Sequence, residues 1–520
     1  MRPAGGAGAE PEVEAKAETR TLRRRRVDPH DIVAGVSVAL VVVPQSLAYA
    51  ELAGMPATNG LYAAAVPPVA AAPFGSSPYL QPGPTAVSAL LTFAALSPLA
   101  VPFSAHYVEL GLLLALMVGV IRVVVGLLRA GVVAYLMSEP LLIGFVPAAA
   151  IVIVCSQLPV VLGVQASGHN ELYRAAWALA HPGDWNTESI LIAAFASVIL
   201  LFGRRVHALF PGVLVAVVAS IAYSKITGYD GATLGPVHAG LPPVTTSLPL
   251  HELPELVLPA FVIALLGFAE ATSIARTYAA LERRRWDANR EFVAQGAANL
   301  AAGTFGGFPV GASFSRSALN RLAGARTTFS GLVTGLAVFA FLPLGFLLSP
   351  LPLSVLAVTV IVAVVPLIRL DRIAEIGRLS RPQGTVTLTA FFLTLVLTPH
   401  VEWAIVAAIA VSIAIHLWRE LRLDITASSD EATLELSPQG VLWFGTARLL
   451  EDRFLDLLAA HPDARRLVVH LDGLGRIDLT GALALKSLVG DARNAGLEVL
   501  VRGTPAHAGR IVRRTLDHGG

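Results

Sequence analysis

The sequence predicts a polytopic α-helical membrane protein that ends in a small α/β domain. Of its 520 residues, 55% are hydrophobic and only 14% are charged, whereas about one quarter of the residues in a soluble domain are charged. Several windows with almost no charge are long enough to cross the roughly 30 Å hydrocarbon core of a bilayer as helices. After about residue 425 the charges return and short β-like runs appear. The chain is therefore expected to have a membrane part and a water-exposed part.

The membrane part is predicted to hold about fourteen hydrophobic segments. The third and the tenth, near 84–98 and 313–323, are too short to span a bilayer. Each follows a stretch rich in Gly and Pro, so we predict two half-helices. The longer segments lie near residues 31–50, 62–79, 108–128, 140–158, 188–203, 208–225, 254–277, 290–303, 327–348, 354–367, 384–399 and 401–418.

The arginines between the segments indicate the orientation, because cytoplasmic loops carry an excess of Lys and Arg. With the N-terminus inside and the chain alternating, the outer loops keep few basic residues, Arg174 and Lys225 among them. Both termini are therefore predicted on the cytoplasmic side of a bacterial-type inner membrane. That side then receives Arg23 to Arg26, Arg122, Arg129, Arg204, Arg205, Arg283 to Arg285, Arg326, Arg369, Arg372, Arg378, Arg381, Arg419 and Arg422.

Two stretches resemble each other across the membrane part. FGSSPYLQPGPTAVSAL (74–90) and FGGFPVGASFSRSAL (305–319) share an FGxxP opening and an SAL ending. With seven segments in each half, an odd number, the second half must enter the membrane upside down, which predicts an inverted repeat. Interrupted helices in inverted repeats are typical of secondary transporters, with the site near mid-membrane. A chance match between two stretches rich in small residues is the alternative.

A fixed positive charge, Arg316, lies in the predicted second half-helix. An arginine in a membrane segment is costly and usually faces a cavity or pathway. The free N–H groups at the start of a helix carry partial positive charge, and the matching half-helix begins near Thr85. Two such ends with a guanidinium predict an anion site. The alternatives are that Arg316 reaches the cytoplasmic surface or pairs with an internal carboxylate. The predicted binding residues at the two helix ends are Thr85, Ala86, Val87, Phe314, Ser315 and Arg316.

Three further polar residues lie in apolar segments. Gln45 and Tyr49 are four apart on one face of the first helix, where they can hydrogen-bond an anion or join helices as polar contacts. Glu270 lies in LLGFAEATSIA (265–275), where a buried carboxylate is expensive when ionised. We predict that it carries a proton during coupling. A salt bridge to Arg316 is the competing structural role.

The C-terminal part alternates predicted strands with predicted helices, which is typical of a small α/β domain. We place the domain boundaries at 1–26 for a disordered cytoplasmic tail, 27–424 for the membrane domain and 425–520 for the C-terminal domain. The strands are predicted near 432–436, 441–445, 467–472 and 497–501, and the helices near 448–460, 480–494 and 505–515.

Three motifs resemble those of the sulfate permease (SulP) family of anion transporters, the family of pendrin and prestin. They are PQSLAYAELAGMPATNGLYAAAVPP (44–68), DANREFVAQGAANLAAGTFGGFP (287–309) and GGFPVGASFSRSALNRLAGART (306–327). The end of the chain resembles the STAS domain that this family carries. The resemblance implies a seven-plus-seven inverted fold, in which a core domain carries the anion against a gate domain by an elevator-like movement, and it implies a homodimer.

The resemblance also implies roles for single residues. The anion site of the family falls on Gln45, Tyr49, the turn at 85–87, and Ser315 with Arg316. Glu270 matches a carboxylate of the plant sulfate/proton members. The sodium-coupled bicarbonate members have an Asp and Thr pair one turn apart, whereas Ile274 follows Glu270 at that spacing, which speaks against a sodium site.

In IDLTGALALKSL (477–488), Thr480 occupies the place of a phosphorylatable serine in anti-sigma-factor antagonists. It is therefore a candidate regulatory residue. The alternative is that Asp478 or Thr480 is a plain helix cap.

Together these features predict a secondary active transporter of a small anion, of the sulfate, bicarbonate or dicarboxylate class, that is coupled to protons or exchanges anions. The predicted partners are the anion, the proton, membrane lipid and a second copy of the chain, with no nucleic acid, cofactor, metal or enzymatic activity. No partner of the C-terminal domain is predicted. The alternatives are an anion channel, a membrane sensor that signals through the STAS domain, and a nucleobase permease, against which Arg316 speaks. The sequence has no GxxxxGK[ST] pattern, so direct use of ATP is not expected.

Overall fold

A computed structural model describes residues 28–131, 138–168, 170–206, 210–237, 240–245, 247–430, 432–505, 512 and 514. The predicted tail with Arg23 to Arg26, and nearly all of the helix predicted at 505–515, lie outside these residues. The chain divides into two compact units, which meet in sequence at Ile409 and Ala410. Each unit is described by itself.

The first unit is helical, and each of the predicted hydrophobic segments contains a helix. Seven helices in the described ranges are long and apolar enough to cross a membrane, and three shorter apolar helices accompany them. The amphipathic helices α6 and α14 were not predicted, since neither forms an apolar run. The helices are α1 (Pro29–Leu52), α2 (Ala57–Ala71), α3 (Ala86–Leu96), α4 (Ala105–Leu127), α5 (Glu139–Leu162), α6 (Glu171–Ala180), α7 (Thr187–Val206), α8 (Gly212–Thr227), α9 (Leu253–Leu281), α10 (Ala288–Thr304), α11 (Phe314–Leu322), α12 (Phe329–Phe341), α13 (Leu353–Val364), α14 (Leu370–Leu379), α15 (Arg381–Val396) and α16 (Val401–Glu420).

The predicted half-helices are α3, with 11 residues, and α11, with 9 residues. Each is preceded by a two-residue strand, β1 (Pro82–Gly83) before α3 and β2 (Gly311–Ala312) before α11. The two strands pair antiparallel, with Pro82 opposite Ala312 and Gly83 opposite Gly311. This short ladder brings the starts of α3 and α11 together in the interior of the unit.

Glycines allow close packing between helices of the two halves. Helix α4 packs against α10, and α2 packs against α12. A Cβ atom on Gly119 of α4 would lie 2.6 Å from the backbone nitrogen of Leu300 on α10. A side chain on Gly335 of α12 would likewise collide with the carbonyl of Ala65 on α2. Because backbone meets backbone in both pairs, larger residues at these positions would force the helices apart.

The second unit contains a five-stranded sheet with the order β3-β4-β5-β7 and with β6 beside β4. Strands β3 and β4 are antiparallel, whereas β4–β5, β4–β6 and β5–β7 are parallel. The elements are β3 (Asp424–Asp430), β4 (Thr433–Leu442), α17 (Ala447–Ala460), β5 (Arg466–His470), β6 (Leu474–Ile477), α18 (Leu479–Asn494) and β7 (Glu498–Arg502). Apolar residues of the sheet and of both helices form one core.

The structure corrects the strand prediction in this unit. The predicted strands 432–436 and 441–445 are joined in β4, which continues through Ser437-Pro438-Gln439-Gly440 and ends at Leu442. Strand β4 pairs with β5 up to Leu436 and with β6 from Gly440 onward, and its register against β6 shifts between Gly440 and Val441. Strands β3 and β6 were not predicted, because β3 is a polar edge strand and β6 has only four residues.

Candidate functional site

The starts of α3 and α11 are defined by hydroxyl caps. Thr85 accepts a hydrogen bond from the backbone nitrogen of Ser88, and the Ser88 hydroxyl accepts one from the nitrogen of Thr85, which makes a capping box. Ser313 caps α11 through the backbone nitrogen of Arg316. Because Pro84 and the paired strands precede these caps, both helices begin abruptly, with their positive ends at the same place.

Arg316 lies between the two helix starts. Its side chain is buried, with 1% of the residue exposed. Nη1 donates a hydrogen bond of 2.6 Å to the carbonyl of Pro84, whereas Nε and Nη2 have no partner within the part of the chain that the structure describes. A Cβ atom on Gly83 would lie 3.2 Å from Nη2, so the missing side chain leaves room for the guanidinium. Arg316 therefore neither reaches the surface nor forms an ion pair among these residues.

Two of the predicted polar residues of α1 are also buried. Gln45 is 6% exposed and Tyr49 is 5% exposed. The side-chain oxygen Oε1 of Gln45 has no hydrogen-bond partner among the residues that are placed. Tyr49 lies within electrostatic reach of both Arg316 and Glu270. Helix α1 thus presents an amide and a phenol on the side where the two helix starts meet.

Glu270 lies on α9 and is half-buried. Within the described ranges it makes no hydrogen bond and no ion pair, so the salt bridge to Arg316 considered from the sequence is not formed. The charged group that acts on it is Arg122. The carboxylate is therefore unpaired among these residues and lies near a second buried arginine.

Arg122 was predicted to lie at the cytoplasmic surface, and the structure shows that this prediction is wrong. Its side chain is fully buried on α4. Nε donates to the carbonyl of Ala264 at 3.1 Å, Nη2 to Ile263 at 3.0 Å and Nη1 to Val310 at 3.0 Å. Any side chain at Gly267 would collide with Nη2. The residue lies near the end of an apolar run, where it looked like a boundary arginine.

Side chains of other helices fix the extended chain in front of each short helix. Asn299 accepts from the nitrogen of Val310 at 2.9 Å and donates to its carbonyl at 3.0 Å. Asn59, in the first turn of α2, donates to the carbonyl of Gly306 at 2.7 Å. Glu291, in the first turn of α10, accepts from the nitrogens of Ser76 and Ser77 at 3.0 and 3.2 Å. None of these positioning residues was predicted from the sequence, because their partners lie far away along the chain.

The remaining predicted residues divide between interior and exposed positions. Thr85, Ala86 and Val87 are buried at the start of α3. Phe314 is 48% exposed, and Ser315 is exposed with its hydroxyl 3.2 Å from that of Ser313. In the second unit, Asp478 caps α18 by accepting from the nitrogen of Gly481 at 2.7 Å. Thr480 is exposed in the first turn of that helix.

The arrangement is suited to binding an anion. Two positive helix ends and a guanidinium with two unpartnered donor nitrogens converge in the interior, where an unsatisfied charged group is costly. An anion would accept hydrogen bonds from those donors and lower the cost. Across the described ranges, no group of three or more His, Cys, Asp and Glu side chains could hold a metal ion.

Comparisons with known proteins agree with this architecture. A family model described as the sulfate permease family matches residues 29–394, and a model of the STAS domain matches residues 424–517. A probable sulfate transporter of Mycobacterium tuberculosis (strain H37Rv) is 34% identical over 391 residues, which cover 74% of this chain and 69% of that protein. The sodium-independent sulfate anion transporter of Bos taurus is 29% identical over 521 residues, covering 93% of this chain and 85% of that protein.

Solved structures show the same fold. The structure of murine solute carrier 26 family member A9, an anion transporter in the inward-facing state, superposes with a TM-score of 0.86 at 20% identity. It covers 100% of this chain and 92% of that one. The transmembrane domain of a cyanobacterial bicarbonate transporter has a TM-score of 0.64 at 25% identity, over 73% of this chain and 96% of that one.

Proposed function

The chain belongs to the sulfate permease family and carries a C-terminal STAS domain, and on this premise we propose that it is a secondary active transporter of a small anion. Members of this family are multi-pass membrane transporters, not enzymes. The observation that carries the proposal is the buried guanidinium of Arg316, whose Nε and Nη2 have no partner among the described residues at the paired helix starts. Sulfate is the first substrate to test, because the similar proteins are named as sulfate transporters. Bicarbonate and small dicarboxylates are the competing substrates.

We assign binding to the residues that surround this point. Arg316 supplies the charge, and the backbone N–H groups of the two helix starts supply further donors. Gln45 and Tyr49 hydrogen-bond the anion without neutralising it. The complete proposed set is Gln45, Tyr49, Thr85, Ala86, Val87, Phe314, Ser315 and Arg316.

Glu270 is proposed to couple transport to protons. It is half-buried, it is unpaired among the described residues, and it lies near Arg122 and Tyr49. A protonated Glu270 would add no negative charge beside an incoming anion, whereas an ionised one would repel it. Loading the proton and the anion from the same side would therefore be favourable, which is symport.

The proposal includes an inverted repeat and an elevator-like movement. In an inverted repeat, α2 and α4 of the first half correspond to α10 and α12 of the second half, so the α4–α10 contact has its counterpart in the α12–α2 contact. Asn59 and Glu291 also correspond, because each side chain holds the extended chain in front of the other half's short helix. Both correspondences support the repeat. We further propose a membrane domain over 27–424, a STAS domain over 425–520, a homodimer in lipid, and both termini in the cytoplasm beneath a bacterial-type inner membrane.

The coupling role is tested by uptake of labelled sulfate into proteoliposomes, with and without an inward proton gradient. The Glu270→Gln variant is expected to keep exchange but to lose gradient-driven accumulation, because its side chain cannot release a proton. Glu255→Gln, an exposed carboxylate on the same helix, is the matched control.

Accumulation that survives in Glu270→Gln would show that this residue does not couple the proton. Transport that never exceeds the anion gradient in the wild type would indicate a channel. Competition by unlabelled bicarbonate and dicarboxylates in the same vesicles ranks the anions by their apparent affinity.

A further inference from the structure

A second basic cavity lies away from the proposed anion site, at the end of the helical unit where α1 begins. Its volume is about 560 Å³, and three linkers form its walls. They are the α2–β1 linker, the α9–α10 linker and the α11–α12 linker. No residue of the proposed transport site lines it. The cavity is therefore a separate feature of the same unit.

The walls carry three arginines and no carboxylate. Arg284 comes from the α9–α10 linker, Arg290 from the first turn of α10, and Arg326 from the α11–α12 linker. The nearby carboxylates are already engaged: Asp28 pairs with Arg326 of the cluster at 3.1 Å, Asp31 accepts from the backbone nitrogens of Arg326 and Thr327, and Glu291 accepts from the α2–β1 linker. The walls that the described residues form therefore keep a positive charge that no lining carboxylate offsets.

The three guanidiniums differ in how many hydrogen-bond or ion-pair partners they have. Arg290 donates through Nε and Nη2 to the carbonyls of Phe74 and Gly75, at 3.4 and 3.2 Å. Hydrogen bonds from the backbone and side chain of His30, together with Arg326, lower the pKa of Asp28 to about 2, so the pair of Asp28 and Arg326 is charged at neutral pH. The backbone nitrogen of Arg284 donates to the carbonyl of Ala279, but its guanidinium has no hydrogen bond or ion pair within the described part of the chain. It is the free cation of the cluster.

Helix α12 adds its positive end to the same cavity. Thr327, Thr328 and Phe329 line the wall, and α12 begins at Phe329, whose backbone nitrogen donates to the Thr327 hydroxyl at 3.2 Å. The dipole of the helix raises the potential at this end. The cavity thus combines fork-shaped donors from two linkers with a helix start, a combination suited to an oxyanion with several acceptor oxygens.

We propose that this cavity binds a phosphate- or sulfate-type oxyanion group, either free in the aqueous phase or on the headgroup of an acidic phospholipid. Such a group would bridge three linkers, one of which leads into β1 and α3 while another follows α11. Its binding would hold both short helices in one arrangement. Binding here and binding at the transport site would therefore be thermodynamically linked.

The test uses the full-length purified protein and compares Arg284→Gln with Arg283→Gln. Arg283 lies next to Arg284 in the same linker and is exposed, but it does not line the cavity, so the two variants lose the same charge. In one arm, the unfolding temperature is measured in detergent against inorganic phosphate, with sodium chloride at equal ionic strength as the reference. In the other arm, it is measured in phosphatidylcholine nanodiscs with and without phosphatidylglycerol.

We expect wild type and Arg283→Gln to be stabilised in at least one arm. Arg284→Gln should need about fivefold more phosphate for the same rise, or lose the response to phosphatidylglycerol. A response confined to phosphate assigns the free oxyanion, and one confined to the lipid assigns the headgroup. Equal responses of the two variants in both arms, or equal stabilisation by chloride, would overturn the proposal. Neither variant touches the transport site, so this failure would leave the proposed function intact.

Discussion

Among the described residues of the helical unit, two arginines are almost fully buried, and their surroundings differ. Arg122 directs all three of its donor groups at backbone carbonyls, of Ile263, Ala264 and Val310. Arg316 makes one such bond, to Pro84, and keeps Nε and Nη2 without partners among the residues described. Both occupy space left by a glycine, Gly267 for one and Gly83 for the other.

This difference separates a structural cation, Arg122, from the proposed binding cation, Arg316. A buried arginine whose hydrogen bonds are complete stabilises the chain around it and has nothing to offer a ligand. A buried arginine with open donors costs stability until a ligand supplies the acceptors. Substitution of Arg122 should therefore lower mainly the stability, and substitution of Arg316 should lower mainly the transport activity.

The largest effect is expected from Arg122→Gln. The change leaves carbonyl groups without their donor and releases Val310 in front of β2, so the free energy of unfolding should fall by about 3–5 kcal/mol. Chemical unfolding of the purified protein measures the loss. Arg129→Gln, at the end of the same helix and exposed, is the control and should be neutral. A stable Arg122→Gln variant would contradict the structural role.

Arg316→Gln should have the reverse profile. Removal of a cation with two unpartnered donors is expected to change the free energy of unfolding by no more than about 1 kcal/mol. Anion affinity should fall by about tenfold to a hundredfold, because the charge-assisted hydrogen bonds are lost. Sulfate binding and uptake, measured on the same preparation as the unfolding curve, test both halves. The comparison fails if stability drops as far as in Arg122→Gln while binding persists.

A smaller effect is expected from Gly83→Ala, which sharpens the comparison without removing a charge. The new methyl group would lie 3.2 Å from Nη2 of Arg316 and would displace the guanidinium slightly, and the φ of +155° at Gly83 adds backbone strain. Anion affinity should fall by up to about tenfold. Gly228→Ala is the control for backbone strain, since Gly228 has a φ of +72° and nothing lies within 4 Å of a Cβ atom there. Unchanged affinity in Gly83→Ala would mean that Nη2 does not contact the anion.

The sequence was sufficient to predict the short helices and Arg316, because both are local signals. Gly- and Pro-rich extended segments interrupt the apolar runs before α3 and α11, and a charge within such a run is conspicuous. The burial of Arg122 could not be predicted in this way. Its environment is created by carbonyl groups of α9 and of Val310, directly before β2, which are distant from Arg122 in sequence.

The second unit shows the same limit. Strand β4 contains Pro438 and Gly440, which are turn signals in a sequence, yet the strand continues because it pairs with β5 on one side of this point and with β6 on the other. Strand β3 is polar and exposed along much of its length, so it lacks the alternation that predicts a strand. Both segments are strands because they pair with neighbouring strands, which the local sequence does not show.

The two-residue ladder between β1 and β2 has a consequence for biogenesis. Pro82 and Gly83 belong to the early part of the chain, and their partners Gly311 and Ala312 are synthesised much later. Until those residues leave the ribosome and insert, the first short helix has no counterpart. The proposed anion site therefore cannot be complete before residues 311 and 312 have been synthesised and inserted.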